Sequence, residues 1–115
     1  MVTARVKLIE RKNSELFSPE SGLSRQVLAY NEKLMLVRHL MEAGWVGARH
    51  SHPHEQLVYM IRGLIEFSGP GGTFEARAGD SFVVPGGTEH QARALEASEV
   101  LDVFTPSRED YAKSG

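Results

Sequence analysis

Three histidines fall within five residues in the stretch Arg49-His50-Ser51-His52-Pro53-His54-Glu55-Gln56. Residues two apart on a β-strand face the same way. His50 and His52 can therefore present two imidazoles side by side, and Gln56, of the same parity, adds an amide oxygen. Neutral imidazole is the commonest biological metal ligand and is available near pH 7. The chain has no cysteine, so a metal held here needs nitrogen and oxygen donors. The competing reading is a solvated loop, where histidine and proline also gather. His54 has ligand parity but falls at the bend after Pro53, and Glu55 points to the opposite face, as a solvated or ion-paired carboxylate.

A second stretch, from Gly79 to His90, supplies the only histidine downstream of that cluster. Its Pro85-Gly86-Gly87 turn bends the backbone so that His90 is aimed inward, with glycine suited to a bend that needs positive φ. His50, His52, Gln56 and His90 would then offer three nitrogens and one oxygen, with positions left open for water or substrate. Such a set accepts Zn, Ni, Fe, Mn or Co. An amide at position 56 leaves a divalent site at +2, where a carboxylate would cancel one charge. That makes a better Lewis acid and a better host for an anion, and a poorer place to cycle iron through higher oxidation states.

The elements that position these groups read as short strands. Gln26 to Tyr30 is a strand and Asn31-Glu32 the turn out of it; Leu34 to Met41 is a longer strand, mainly apolar on both faces. His39 lies within it without a ligand-type neighbour at spacing two and reads as a core or interface histidine. Gly44 to Ala48, with Trp45 as a packing anchor, leads into the histidine strand, which Leu57 to Ile61 continues. Leu64 to Phe67, Phe74 to Arg77, Ser81 to Val84 and Val100 to Phe104 follow, punctuated by Gly- and Pro-containing turns. Val2 to Ile9 reads as an edge strand or an arm exchanged in a dimer, and Arg11 to Glu20 as a polar stretch. Ser107 to Ala112 is expected to form a helical turn within a polar tail. The fold class is thus all-β, a small β-barrel or double-stranded jelly roll. The expected divisions are an arm or edge strand at 1–25, the barrel at 26–106 and a tail at 107–115.

A chain of 115 residues, 41% hydrophobic and 24% charged, supports one domain with one core. A net charge of -2 offers no electrostatic reason for a nucleic-acid or membrane partner. With no long apolar run and no signal-like N-terminus, the expected location is cytoplasmic.

The two stretches together resemble the paired motifs of the cupin superfamily. The first reads Gly44, His50, His52, Gln56, Gly63, with glutamine where glutamate is usual. The second reads Gly79, Pro85, Gly87, His90, and Ala94 stands where an asparagine often follows. Three segments carry a narrower resemblance, to the KdgF-like cupins: Leu28 to Asn31, His50 to Gln56, and Leu101 to Tyr111. That resemblance implies a small homodimer that turns 4,5-unsaturated monouronates from pectin or alginate breakdown into the linear keto form. It also implies that Asp102, Phe104 and Arg108 line the active site, with Arg108 binding the uronate carboxylate or hydroxyls as a fork of donors.

The residues themselves allow more than one account of these three. Asp102 lies between Leu101 and Val103 in an apolar strand, and a carboxylate there needs a partner or a function. One account pairs it with Arg93 as a structural ion pair. The other makes its face a cavity, with Asp102 the general acid–base group and Phe104 a wall for the sugar ring. Arg108 is alternatively an exposed tail arginine. Cupins also include dioxygenases and non-catalytic sugar-binding or sensor modules, and both remain open on sequence grounds.

Overall fold

The computed structural model describes residues 4–114. Among them are two antiparallel sheets, a 3-10 turn at Arg11–Asn13 and one short α-helix. The larger sheet has the order β1-β2-β3-β9-β4-β7, from Leu16–Glu20 (β1), Leu23–Tyr30 (β2), Met35–Met41 (β3), Ser98–Thr105 (β9), Glu55–Arg62 (β4) and Ser81–Val84 (β7). The smaller has the order β6-β5-β8, from Gly72–Arg77 (β6), Leu64–Gly69 (β5) and Gln91–Ala94 (β8). Helix α1 spans Glu109–Ser114. This is the jelly-roll arrangement of an all-β chain, as the turn spacing predicted.

Alternation along the strands explains why the sheets face one another. On β3, Met35, Val37, His39 and Met41 are buried and the residues between them half-buried. On β9, Ser98, Val100, Asp102 and Phe104 are buried. Leu23, Met41, Val58, Met60, Ile65 and Val100 belong to the main core cluster, with Trp45 and Phe82 packed against it. Met35, Val37 and Phe104 form a second cluster, closed by Val27, Tyr111 and Ala112. Ala94 is buried in the main cluster, where a larger polar side chain would need a partner.

Several expectations are corrected. Residues 4–9 carry no regular structure and are exposed, so no strand runs through the described part of Val2 to Ile9; Val2 itself lies outside the described residues. The edge strand is instead β1, within the stretch read as polar, and β2 begins ahead of Gln26. An edge tolerates Pro19 because that position need not donate to a neighbour. Strand β8 is likewise unexpected, since its residues Gln91-Ala92-Arg93-Ala94 include none of the β-branched, aromatic or large apolar types that mark a strand. The histidine segment is not a strand: its isolated bridges are Val46 to Arg93 of β8 and His50 to His90, and β4 starts at Glu55. The tail is not loose, since Tyr111 and Ala112 pack on the second cluster. Among the described residues, no helix is long and apolar enough to cross a membrane.

Candidate metal centre and cavity

Two backbone features bring the histidines together. His50 and His90 exchange backbone hydrogen bonds, N–H to O at 3.0 Å and at 2.8 Å. The turn of the second motif also docks onto the first: Gly87 N donates to the His52 carbonyl at 2.7 Å, and Gly86 N donates to the Glu55 carboxylate at 2.6 Å. Gly87 has φ +79, and Gly86 lies so close to the Pro53 carbonyl that a Cβ there would collide with it. Both glycines are therefore required for this approach. Glu55, read as solvated or ion-paired, in fact anchors the turn.

One donor atom from each of His50, His52 and His90 lies within 4.8 Å of the other two. Each ring is held from behind through Nδ1 by a carbonyl oxygen: His50 by Ala48 at 2.9 Å, His52 by His54 at 3.1 Å and His90 by Thr88 at 2.8 Å. Carbonyls only accept, so each Nδ1 carries the proton and each Nε2 keeps its lone pair, the arrangement of a metal-ligating histidine. Burial lowers the pKa of His52 below the ordinary 6.5, helped by the nearby Arg108 cation. Burial also lowers that of His90. Both changes favour the neutral, ligating form.

Gln56 Oε1 stands 3.1 Å from His52 Nε2. With the His52 proton committed to the His54 carbonyl, two lone pairs meet there and nothing of the chain lies between them to satisfy both. A cation does so, and this donor set of imidazole nitrogens and an amide oxygen fits a divalent transition metal. His54 turns away from this centre; its ring stands edge-on to Phe104 at 6.5 Å, and its Nδ1 is buried without a hydrogen-bond partner.

Behind the histidines a cavity of about 180 Å³ opens between the sheets. Gln56, Asp102, Phe104, Arg108, His39 and Tyr111 all line it. Asp102 is 3% exposed; it accepts from Gln56 Nε2 at 2.9 Å and bonds His39 Nδ1 at 2.6 Å. The Arg93 pairing is overturned: Arg93 lies on the smaller sheet and pairs with Glu66 at 3.0 Å. Arg108 is not an exposed tail arginine either. Its side chain is 12% exposed and paired with Asp110, with its guanidinium carbon 3.9 Å from the Tyr111 ring centre and 5.2 Å from that of Phe104. Phe104 is buried and edge-on to His52, with ring centres 5.8 Å apart.

The cupin domain family matches residues 37–104, more than half of the chain. This chain is a cupin. It is 34% identical to KdgF from a Halomonas species, the match covering 91% of this cupin and 99% of that chain at a TM-score of 0.85. An RmlC-like cupin from Shewanella frigidimarina is 32% identical, over 93% and 96% of the two chains, with a TM-score of 0.87. An oxalate decarboxylase from Lactobacillus farciminis, 20% identical over 96% of this cupin and 36% of that chain, shares the fold at a TM-score of 0.80. No curated protein matches the sequence.

Three residues of this cupin's cavity escaped the sequence reading. His39 pairs with Asp102, Arg25 donates to His39 Nε2 at 3.0 Å, and Tyr111 carries Arg25 over its ring at 3.8 Å. A signal did exist for His39. It and Asp102 are each a polar residue within an apolar strand, and two such groups satisfy one another more readily than either finds a distant partner.

Proposed function

We propose that this cupin is a metal-dependent enzyme that converts 4,5-unsaturated monouronates to the linear keto form. The observation that carries the reading is a buried carboxylate, Asp102, facing the same small cavity as His50, His90 and the Arg108 guanidinium. Likeness to KdgF supports it. A bound divalent ion at His50, His52, His90 and Gln56 would act as a Lewis acid toward a substrate oxygen.

The remaining work falls to side chains. Arg108 bonds Asp110 through Nε and Nη2, and the other edge of its guanidinium presents donors suited to the uronate carboxylate. Phe104 lines the cavity as a wall for the sugar ring, and Tyr111, edge-on to it with ring centres 5.5 Å apart, stacks with Arg25 and Arg108. Ring opening breaks the bond between the anomeric carbon and the ring oxygen as the anomeric hydroxyl loses its proton. The electron pair passes to the ring oxygen, which becomes an enolate, and a proton then adds to C4 to give the ketone. No proton is gained or lost overall, so one group able to take a proton and return it suffices. Asp102 has that capacity, a general acid–base role.

A homodimer is part of the same reading. Val58 and Met60 are buried, so the alternate residues Leu57, Tyr59 and Ile61 of β4 point outward, and these, with Val83 of β7, are exposed. A second copy would cover that face. The reading keeps the cytoplasmic location expected from the sequence. The deciding experiment mixes purified protein with unsaturated monouronate and follows ultraviolet absorbance, with and without chelator. Chelator-sensitive loss of absorbance is expected; absorbance unchanged by the metal-loaded protein would refute the reading.

A further inference from the structure

A hydrogen-bonded chain has a direction, and here one end admits only one. Arg25 has donors and no acceptor, and its Nε–H donates to His39 Nε2 at 3.0 Å. That nitrogen therefore carries a lone pair, and the ring proton sits on Nδ1, which donates to Asp102 Oδ2 at 2.6 Å. An ionised carboxylate only accepts, so the Gln56 group 2.9 Å from Asp102 Oδ1 is the amide NH₂. The carbonyl of that amide must then face His52 Nε2. Turning the amide over would relieve the lone-pair contact at His52, but would set the carbonyl against the Asp102 carboxylate.

We propose that Arg25 and His39 are positioning residues that fix the direction of this chain and thereby aim the Gln56 carbonyl at the histidine cluster. They do so while holding both oxygens of Asp102. The conflict between acceptors is thus placed at the one point where a cation resolves it. The burial of the relay agrees with this: His39 is 7% exposed and Asp102 3%, where unsatisfied polar groups are costly and a reversed bond is not rescued by water. The inference rests on Gln56 as a metal ligand, and its test needs no substrate.

The probe is Zn²⁺ added to metal-free protein. Nitrogen-15 NMR of the wild type should show His39 protonated on Nδ1 and bare on Nε2, with and without Zn²⁺; the reverse tautomer would overturn the inference. Supporting groups of this kind typically change metal affinity about 10- to 100-fold. His39→Leu should weaken Zn²⁺ binding by about that factor. His39→Asn, whose amide nitrogen takes the place of Nδ1, should restore most of it. Unchanged affinity in His39→Leu, or a loss that His39→Asn does not recover, would also overturn it. Should His39→Leu fail to fold, the wild-type tautomer and the affinity of Arg25→Met, expected to be weakened likewise, decide the matter. A wild type that binds Zn²⁺ as described but leaves unsaturated uronate untouched would count against the proposed function alone.

Discussion

Asp102 is the residue on which an enzyme and a binding module part company. Asp102→Asn matches the carboxylate in size but cannot carry a proton; because its amide nitrogen also replaces one of the two acceptors for His39 and Gln56, the comparison is made with the metal in excess, where the loss should fall on turnover. General acid–base groups contribute about 100- to 10,000-fold; kcat should fall by roughly that factor with KM little changed, as steady-state kinetics would show. A variant as active as the wild type would remove Asp102 from the chemical step. His52→Ala should lose the bound metal, and elemental analysis showing unchanged content would refute the ligand set. Titration carries a further expectation, because burial lowers the pKa of both His52 and His90. In the metal-free protein their NMR midpoints should lie below 6.5, the ordinary histidine value. Between 6.5 and those midpoints the unfolded chain binds more protons than the folded one. Stability should therefore decline as pH falls through that window and recover as it rises.

The three central strands of the larger sheet are tied together on their outer face by one carboxylate. Glu99 of β9 accepts from Arg38 of β3 at 2.6 Å and from Arg62 of β4 at 3.2 Å. The Arg38 contact, more than the Arg62 one, holds the Glu99 pKa below the ordinary 4.5, against the opposing effect of burial. A carboxylate with a lowered pKa contributes stability above its unfolded value and loses it as pH falls through the folded one. Glu99→Gln should cost roughly 1–3 kcal/mol near neutral pH. Urea denaturation should show the gap from wild type narrowing as pH falls below about 4.5. At the other end of β4, the Gly86 turn can approach Pro53 only without a side chain. Gly86→Ala should destabilise by about 1–3 kcal/mol, as overpacking does. It should also weaken metal binding, because the same turn seats the His52 carbonyl. A turn that merely connects strands would lower the melting temperature and leave metal affinity alone.

The whole molecule presents an exposed apolar face at the β4–β7 edge of the larger sheet, at Leu57, Tyr59, Ile61 and Val83. A stable interface of ordinary size buries about 1,200–2,000 Å² in total. Light scattering at micromolar concentration should give a dimer mass, and Tyr59→Lys on that face should shift it toward monomer. A wild type that is monomeric under those conditions would refute the assembly.

The histidine cluster was legible in sequence because its spacing is local. His50 and His52 lie two apart within one segment, which brings them together although it is not a strand, and the Pro85-Gly86-Gly87 turn announces itself by residue type. Much of the strand order of elements was legible for the same reason, since alternation and glycine turns are properties of neighbours in the chain. Strands β1 and β8 were not: β1 is an edge strand interrupted by a proline, and β8, Gln91-Ala92-Arg93-Ala94, carries no β-branched, aromatic or large apolar residue to mark it. Of the partners of Asp102, His39 left only the signal of a second polar residue in an apolar strand, and nothing in the sequence joined the two. Arg93 is nearer in the chain, yet it lies on the other sheet, while His39 lies 63 positions away and reaches it because β3 and β9 pair. Local spacing decides which residues can share a face; only the closing of the sheets decides which faces meet.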